Sequence, residues 1–328
     1  MTERGPLPSD NSIEQISNEL GVEVIANFRG AHIHRRGYER FDPEATVFLV
    51  ADPNGDRSVV KIKNFNEDEV EKTDWMRKQV EGSEIWSVPR VIGHKPGSYI
   101  RTTFFPGRPV GLEDVWRRKD LMDSVIYGLQ ELETRINRVP LEDSLIPKGK
   151  EWVWGKLELE SEESWVKPAL DDQSLTEHGL ITKDFINDVR SYAKNHASQL
   201  EDVRRTWRDP NGDHIIELRD GASANKPTRL GMVDIDIQPR PRHYMPMRFL
   251  AWSLLRIGSE DPVDAEAWVK KMREQYELGE EMDPTFVLSL TGILHDLATG
   301  ERDNKNKRLI ALSVKDIINS IIKKDAKA

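Results

Sequence analysis

Two carboxylates stand two residues apart in the stretch Leu230 to Asp236, which reads L-G-M-V-D-I-D. An apolar, strand-like run leads into Asp234 and Asp236, and on an extended backbone that spacing points both side chains the same way. A strand ending in Asp-x-Asp suits a hard cation such as Mg²⁺, which takes carboxylate oxygens and brings its own waters and phosphates. The same residues are also ordinary at a strand-ending turn, where Asp bonds its own backbone. Three features accompany the pair: Lys61 on an early strand, Arg208-Asp209 some 25 residues before Asp234, and an apolar helix downstream.

Lys61 belongs to Arg57–Lys63, the return strand of a hairpin whose turn is Asp52-Pro53-Asn54-Gly55-Asp56. Within V-V-K-I-K, Lys61 and Lys63 share one face, and Val60 and Ile62 the other. At a sheet edge Lys61 is a solvated charge. Facing a cleft, its compact, mobile ammonium suits phosphate oxygens. Asn66 to Glu81 then reads as an amphipathic helix, with Asn66 as N-cap and Val70, Trp75 or Met76, and Val80 as its apolar side. Glu71, Asp74 and Lys78 lie at helical neighbour spacing. They form either a salt-laced solvent face or a source of a carboxylate, from Glu71 or Asp74, that fixes Lys61.

The elements that must position these groups alternate in character. Residues 1–11 read as a loose tail, Ser12–Leu20 as a short helix, and Val22–Arg29 and Ala45–Ala51 as strands. Val88–Ile92 and Tyr99–Phe105 add two more strands, and Pro106-Gly107 breaks the second. Gly111–Arg138 and Thr182–Trp207 read as helices. Between them, residues 140–180 hold Trp152, Trp154, Trp165 and the acidic run Glu158–Glu163. Arg240, Arg242, His243 and Arg248 make a basic stretch, read as a contact for an acidic substrate or as a solvated loop. Phe249–Ile257 is an apolar helix. Ala265–Leu278, Pro284–Leu297 and Leu309–Lys323 close the chain as helices, with Asn304–Arg308 as a basic turn between the last two.

Composition narrows the class. With 328 residues the chain is long enough for two domains or one two-lobed domain, and 37% apolar against 32% charged residues is ordinary for a soluble globular protein. No run of about 18 apolar residues is present, so no membrane partner is expected. The first residues lack a basic-then-apolar signal pattern, and cytoplasm is the expected location. Zero cysteines exclude disulfides, thiolate metal sites and a Cys nucleophile. A net charge of −9 argues against broad nucleic-acid binding.

Taken in order, V-V-K-I-K, the charged helix, V-P-R-V-I, the strand ending F-F-P-G-R-P-V, then W-R-D-P-N-G-D-H-I-I and G-M-V-D-I-D carry a likeness over residues 22–255. This order resembles the aminoglycoside phosphotransferase and choline kinase superfamily, the small-molecule branch of the protein-kinase-like fold. The resemblance implies an α+β, two-lobed fold. On this resemblance residues 1–21 would form a tail and short helix, 22–107 a small β-rich nucleotide-binding N-lobe, and 108–328 a larger, mainly helical C-lobe. The C-lobe would hold a catalytic loop near 207–216, a metal strand near 230–236 and an insert at 140–180. It also implies ATP with Mg²⁺ (or Mn²⁺) bound between lobes, and transfer of the γ-phosphoryl group to a hydroxyl of a small-molecule partner.

Registered on the family's catalytic loop, H-G-D-x-x-x-x-N, Asp209 takes the catalytic place and His214 the place of the metal-binding Asn. Asp209 would then orient the acceptor hydroxyl and take its proton. Lys61 and its partner Glu71 would hold nucleotide, with Asp234, His214 and Asp236 toward the metal. A register on Asp213 would instead put Leu218 in the metal-ligand place. The sequence departs from the pattern at several points. Trp207 replaces the leading His, no G-x-G-x-x-G appears around Arg29–Gly37, and Arg248-Phe249 supplies no Asp near the start of the apolar helix. Imidazole is a poorer Mg²⁺ ligand than an amide oxygen, so a nucleotide-binding pseudokinase is the rival reading. A protein-substrate kinase and an unrelated α+β protein with a structural Asp-x-Asp stand behind it.

Overall fold

The computed structural model describes residues 10–27, 46–62, 68–112, 118–138, 165–218, 228–257, 265–300 and 304–327. In chain order the elements are α1 (Asp10–Leu20), β1 (Glu23–Asn27), β2 (Thr46–Ala51), β3 (Arg57–Ile62), α2 (Asp68–Gln79) and β4 (Trp86–Ser87). Next come β5 (Val91–Lys95), β6 (Tyr99–Thr103), β7 (Gly107–Pro109), α3 (Lys119–Ile136), α4 (Lys183–Asn195), β8 (Val203–Trp207), β9 (Ile215–Leu218) and β10 (Leu230–Met232). The chain closes with β11 (Ile237–Pro241), α5 (Tyr244–Ile257), α6 (Ala265–Gln275), α7 (Asp283–Thr299) and α8 (Asn304–Asp325). Shorter helical turns lie at Lys167–Asp171, Gln173–Thr176 and Ala197–Glu201.

Two compact units result: Met1–Glu113 with Ile215–Ile235, and Asp114–His214 with Asp236–Ala328. The sequence reading gave residues 215–235 to the helical lobe. They fall instead in the N-terminal unit, because β9 pairs with β7 and β10 pairs in parallel with β4.

The first unit is organised by an antiparallel sheet in the order β1-β2-β3-β6-β5. Alternation along β3 buries Ser58, Val60 and Ile62 and leaves Val59 and Lys61 on the less covered face. Ile16 of α1 packs with Phe48, Val50, Val60, Ile62 and Tyr99 on the buried side. A second sheet runs β4-β10-β9-β7. Gly231 in β10 has a packing reason: a Cβ there would sit 2.6 Å from the Phe105 ring, so a larger residue would displace either the ring or the strand. Strand β5 starts at Val91 rather than Val88, since Pro89 has no N–H for a ladder.

The second unit is helical around a two-stranded ribbon, β8 against β11. The apolar stripe of α3 (Leu121, Val125, Leu129 and Leu132) is fully buried. Thr182 caps α4 by accepting from the Phe185 N–H at 3.2 Å, and Trp165 is buried edge-on to the Phe185 ring.

Three expectations are corrected in this unit. The helix read over Thr182–Trp207 ends at Asn195, and Val203–Trp207 is a strand, because V-R-R-T-W finds a complete partner in I-Q-P-R-P. Asn304–Arg308 is the first turn of α8, not a loop. The basic stretch is not a solvated loop: Arg240 is buried over the Tyr244 ring, Arg242 pairs with Asp202 at 2.8 Å, and Arg248 is enclosed. The glycines of Arg29–Gly37, the cap Asn66, Lys63, Trp152, Trp154, the acidic run Glu158–Glu163 and the turn Asp220–Pro227 lie outside the described residues.

Glu133 of α3 is buried at the start of α5, within 3.6 Å of His243 Nδ1, where the backbone N–H groups of His243 and Tyr244 donate to its carboxyl. Burial outweighs those bonds and the nearby Arg242, and pushes the carboxyl from 4.5 up to about 8. The folded state therefore holds a proton that the unfolded chain releases near 4.5. The stabilisation is full below that pH and declines until the pH passes about 8. At the steepest the decline is about 1.4 kcal/mol per pH unit. Glu133→Gln keeps the shape and the acceptor oxygen without the titration. Urea unfolding at pH 5 and pH 9 should show the wild type losing more stability than the variant, by on the order of 3 kcal/mol.

Candidate functional site

In the first unit the site is built on β3. This strand is paired on both sides, with Lys61 opposite Val47 on β2 and Ile100 on β6, so the lysine stands on a rigid base. Its ammonium donates to Glu69 Oε1 at 2.7 Å and to Asp234 Oδ1 at 2.9 Å. Burial alone would lower its pKa. The Asp234 and Glu69 carboxylates overcome that and hold it well above the ordinary lysine value.

The partner from α2 is thus Glu69 and not Glu71. Two residues along a helix turn the side chain by roughly 200°, and Glu71 points to solvent. Asp74 is not the partner either: it faces Arg77 at 3.7 Å. No local signal chose among these acids, since Glu69, Glu71 and Asp74 all belong to one highly charged helix.

Asp234 follows the end of β10 and has a left-handed backbone, φ 52°. Such a φ is uncommon for a residue with a side chain, Asp being among the better tolerated, and departures of this kind concentrate at functional sites. It also breaks the extended alternation that would have set Asp234 and Asp236 on one face. Asp234 goes to Lys61 and keeps about half of its side chain exposed, whereas Asp236 accepts from Gln238 Nε2 at 2.7 Å and faces Arg208 Nη1 at 3.4 Å.

In the second unit the site is the loop Asp209–His214, launched from β8. The ladder to β11 extends by one bond past Trp207, Arg208 N–H to the Asp236 carbonyl at 2.8 Å. Asn211 staples the loop: its Oδ1 accepts from the N–H groups of Asp213 at 3.0 Å and His214 at 3.2 Å. His214 Nδ1 lies 3.0 Å from the Asp209 carbonyl oxygen. A carbonyl only accepts, so Nδ1 carries the proton and, in the neutral ring, Nε2 carries the lone pair.

Asp209 is more than a third exposed, yet its Oδ1 is buried and has no hydrogen bond among the described residues. Arg248 Nη2 lies 3.9 Å from Oδ1, and His214 Nδ1 lies 3.6 Å from Oδ2. Asn211 and Glu69 were not among the site residues expected from sequence, and Arg248 entered only as part of the basic stretch read as an acidic-substrate contact or a solvated loop. Asn211 was the one with a signal, as the centre of the D-P-N-G-D turn.

The donors can be tested against a divalent cation. Among the described residues no group of three or more His, Asp or Glu side chains forms a metal cage. A half-exposed Asp234 carboxylate nevertheless fits an ion that takes one or two protein carboxylates and completes its shell with phosphates and water.

No protein-family model matches the sequence, and no curated protein matches it in sequence. Solved structures do match in fold. An aminoglycoside phosphotransferase APH(4)-Ia, in ternary complex with AMP-PNP and hygromycin B, superposes with a TM-score of 0.57 at 11% identity, covering 96% of this chain and 99% of that one. An amicoumacin kinase in complex with AMP-PNP and Ca²⁺ gives 0.55 at 11% identity, over 95% and 94%. A Plasmodium vivax ethanolamine kinase gives 0.53 at 11% identity, over 96% and 86%. The fold is thus the α+β, protein-kinase-like fold of these small-molecule kinases, in a divergent sequence. No helix among the described residues is long and apolar enough to cross a membrane.

Proposed function

We propose that the chain is an ATP-dependent phosphotransferase that moves the γ-phosphoryl group to a hydroxyl of a small molecule. The observation that carries this reading is the Lys61–Glu69–Asp234 cluster: a cation locked between two carboxylates, one of them on a left-handed backbone and half exposed. Lys61, fixed by Glu69, is suited to phosphate oxygens. A divalent cation carried by Asp234 would neutralise charge on the transferring group. Asp209 would hold the acceptor hydroxyl and take its proton, the role a positioned carboxylate serves in phosphoryl transfer. The neighbours in fold support the reading, since their complexes contain AMP-PNP and they are described as kinases or phosphotransferases of small molecules.

A pseudokinase is the second reading, favoured by His214 and Trp207 in the catalytic loop. One experiment separates the two. The purified chain is incubated with γ-labelled ATP and Mg²⁺ or Mn²⁺, alone and with a panel of amino alcohols, aminoglycosides and sugars. The expected result is label transfer to at least one acceptor, reduced about 10²–10⁴-fold in Asp209→Asn. Nucleotide binding without transfer to any acceptor or to water selects the pseudokinase. Transfer at the wild-type rate in Asp209→Asn removes Asp209 from the mechanism.

A further inference from the structure

Arg248 lies where neither its local sequence nor the phosphotransfer reading accounts for it. It is enclosed by the second unit, and its Nη2 donates to Asp296 Oδ2 of α7 at 3.0 Å. The other side of the guanidinium rests in a notch of the same helix: a Cβ at Gly292 would stand 3.0 Å from Nη1. Gly292 and Asp296 are four residues apart and so share one helix face. Gap and carboxylate together make a socket. Burial would lower the guanidinium pKa, but the Tyr244, Asp296 and Asp209 groups outweigh it, so Arg248 stays charged. Asp296 is held below the ordinary carboxylate range: burial opposes this, and His295 and Arg248 overcome it. The guanidinium points the same Nη2 at Asp209 Oδ1, 3.9 Å away, the buried oxygen that has no hydrogen bond among the described residues.

We propose that Arg248, seated by Asp296 and the Gly292 notch, is a positioning residue for Asp209: it fixes Oδ1 and so aims Oδ2 at the acceptor hydroxyl. The catalytic part of this statement rests on the phosphotransfer reading; the positioning part does not. A separation of 3.9 Å is longer than a hydrogen bond, and such contacts commonly tighten only when substrate is bound. Arg248 itself touches no reacting atom in this scheme. Its effect passes through the geometry of Asp209, where displacements near 1 Å can cost about 10²-fold in rate.

The test uses two variants that leave Arg248 and Asp209 in place, Asp296→Asn and Gly292→Ala, with the intact chain. MgATP turnover is measured with water as acceptor, together with the thermal shift induced by MgATP. The expected result is a fall in kcat of about 10–100-fold, with KM for ATP and the thermal shift unchanged within about two-fold. An unchanged kcat, or a KM that moves in step with kcat, would overturn the proposal. Crystal structures of the same variants decide the positioning claim without any activity. A rotated Asp209 carboxylate supports it, and one that keeps its wild-type orientation sinks it. If the wild type transfers the γ-phosphoryl group neither to water nor to any acceptor of the panel, the phosphotransfer reading fails by that result, and the crystal structures alone decide the role of Arg248.

Discussion

Asp234→Ala is expected to abolish the rise in melting temperature that MgATP should give the wild-type chain. A ligand that binds only the folded state at about 100 times its Kd stabilises by roughly 2.7 kcal/mol, and the variant should show almost none of this. The reasoning follows from the two directions of the Asp234 carboxylate. One oxygen holds Lys61 at 2.9 Å, and about half of the side chain is exposed to solvent. Its loss removes the proposed cation ligand and loosens the lysine proposed to hold phosphate oxygens. Turnover should therefore fall by at least about 10²–10³-fold. Lys61 keeps Glu69, and Asp234 is half exposed, so the nucleotide-free melting temperature should change little.

Asp234→Asn provides the backbone control. Asn also tolerates a left-handed φ, so it keeps the turn and an oxygen donor while discarding the charge. An Asn variant that fails like Ala assigns the effect to charge; one that binds MgATP normally assigns it to the turn. Full nucleotide response in both would remove Asp234 from the site.

Asp172→Ala carries the largest expected cost in stability, about 4 kcal/mol. Asp172 Oδ2 accepts from Lys307 Nζ at 2.9 Å, with both side chains about nine-tenths buried. Its Oδ1 accepts from the Ser174 N–H at 2.8 Å, which caps the helical turn Gln173–Thr176. Truncation leaves a buried ammonium without its partner and a helix end without its cap. Adding Lys307→Met should restore most of the loss, because the penalty lies mainly in the abandoned charge. Equal damage in the single and double variants, measured by urea unfolding, would show that the ion pair is not the cause.

The pH dependence of this pair has the opposite sign to that of Glu133. Burial tends to raise Asp172, but Ser174 and Lys307 outweigh it and set its folded value below 3.8. The stabilisation is therefore complete above the unfolded value and is lost as the pH falls through the folded one.

The sequence by itself determined whatever depends on near neighbours along the chain. The alternation of V-V-K-I-K placed Val60 and Ile62 in the core and Lys61 on the opposite face, because a strand's side-chain period is two regardless of what surrounds it. The apolar stripe of α3 and the three closing helices were legible through the 3.6-residue period in the same way. Asp-Pro-Asn-Gly-Asp was legible as a turn, and Asn211 closes it with its own side chain.

Tertiary structure decided the rest, since each remaining choice rests on groups far apart in sequence. Glu69 rather than Glu71 meets Lys61 because the seating of α2 sets which acid faces the sheet. Val203–Trp207 is a strand because Ile237–Pro241 lies beside it, and pairing overrides the helical reading of the segment taken alone. Asp234 and Asp236 part company at a left-handed φ that no spacing rule anticipates. Arg248, read in sequence as part of a basic loop, lies in the second unit between Asp209 and Asp296, carboxylates 39 residues before it and 48 after it. A buried cation is stable only with its counter-charges in place, and only the folded chain brings them together.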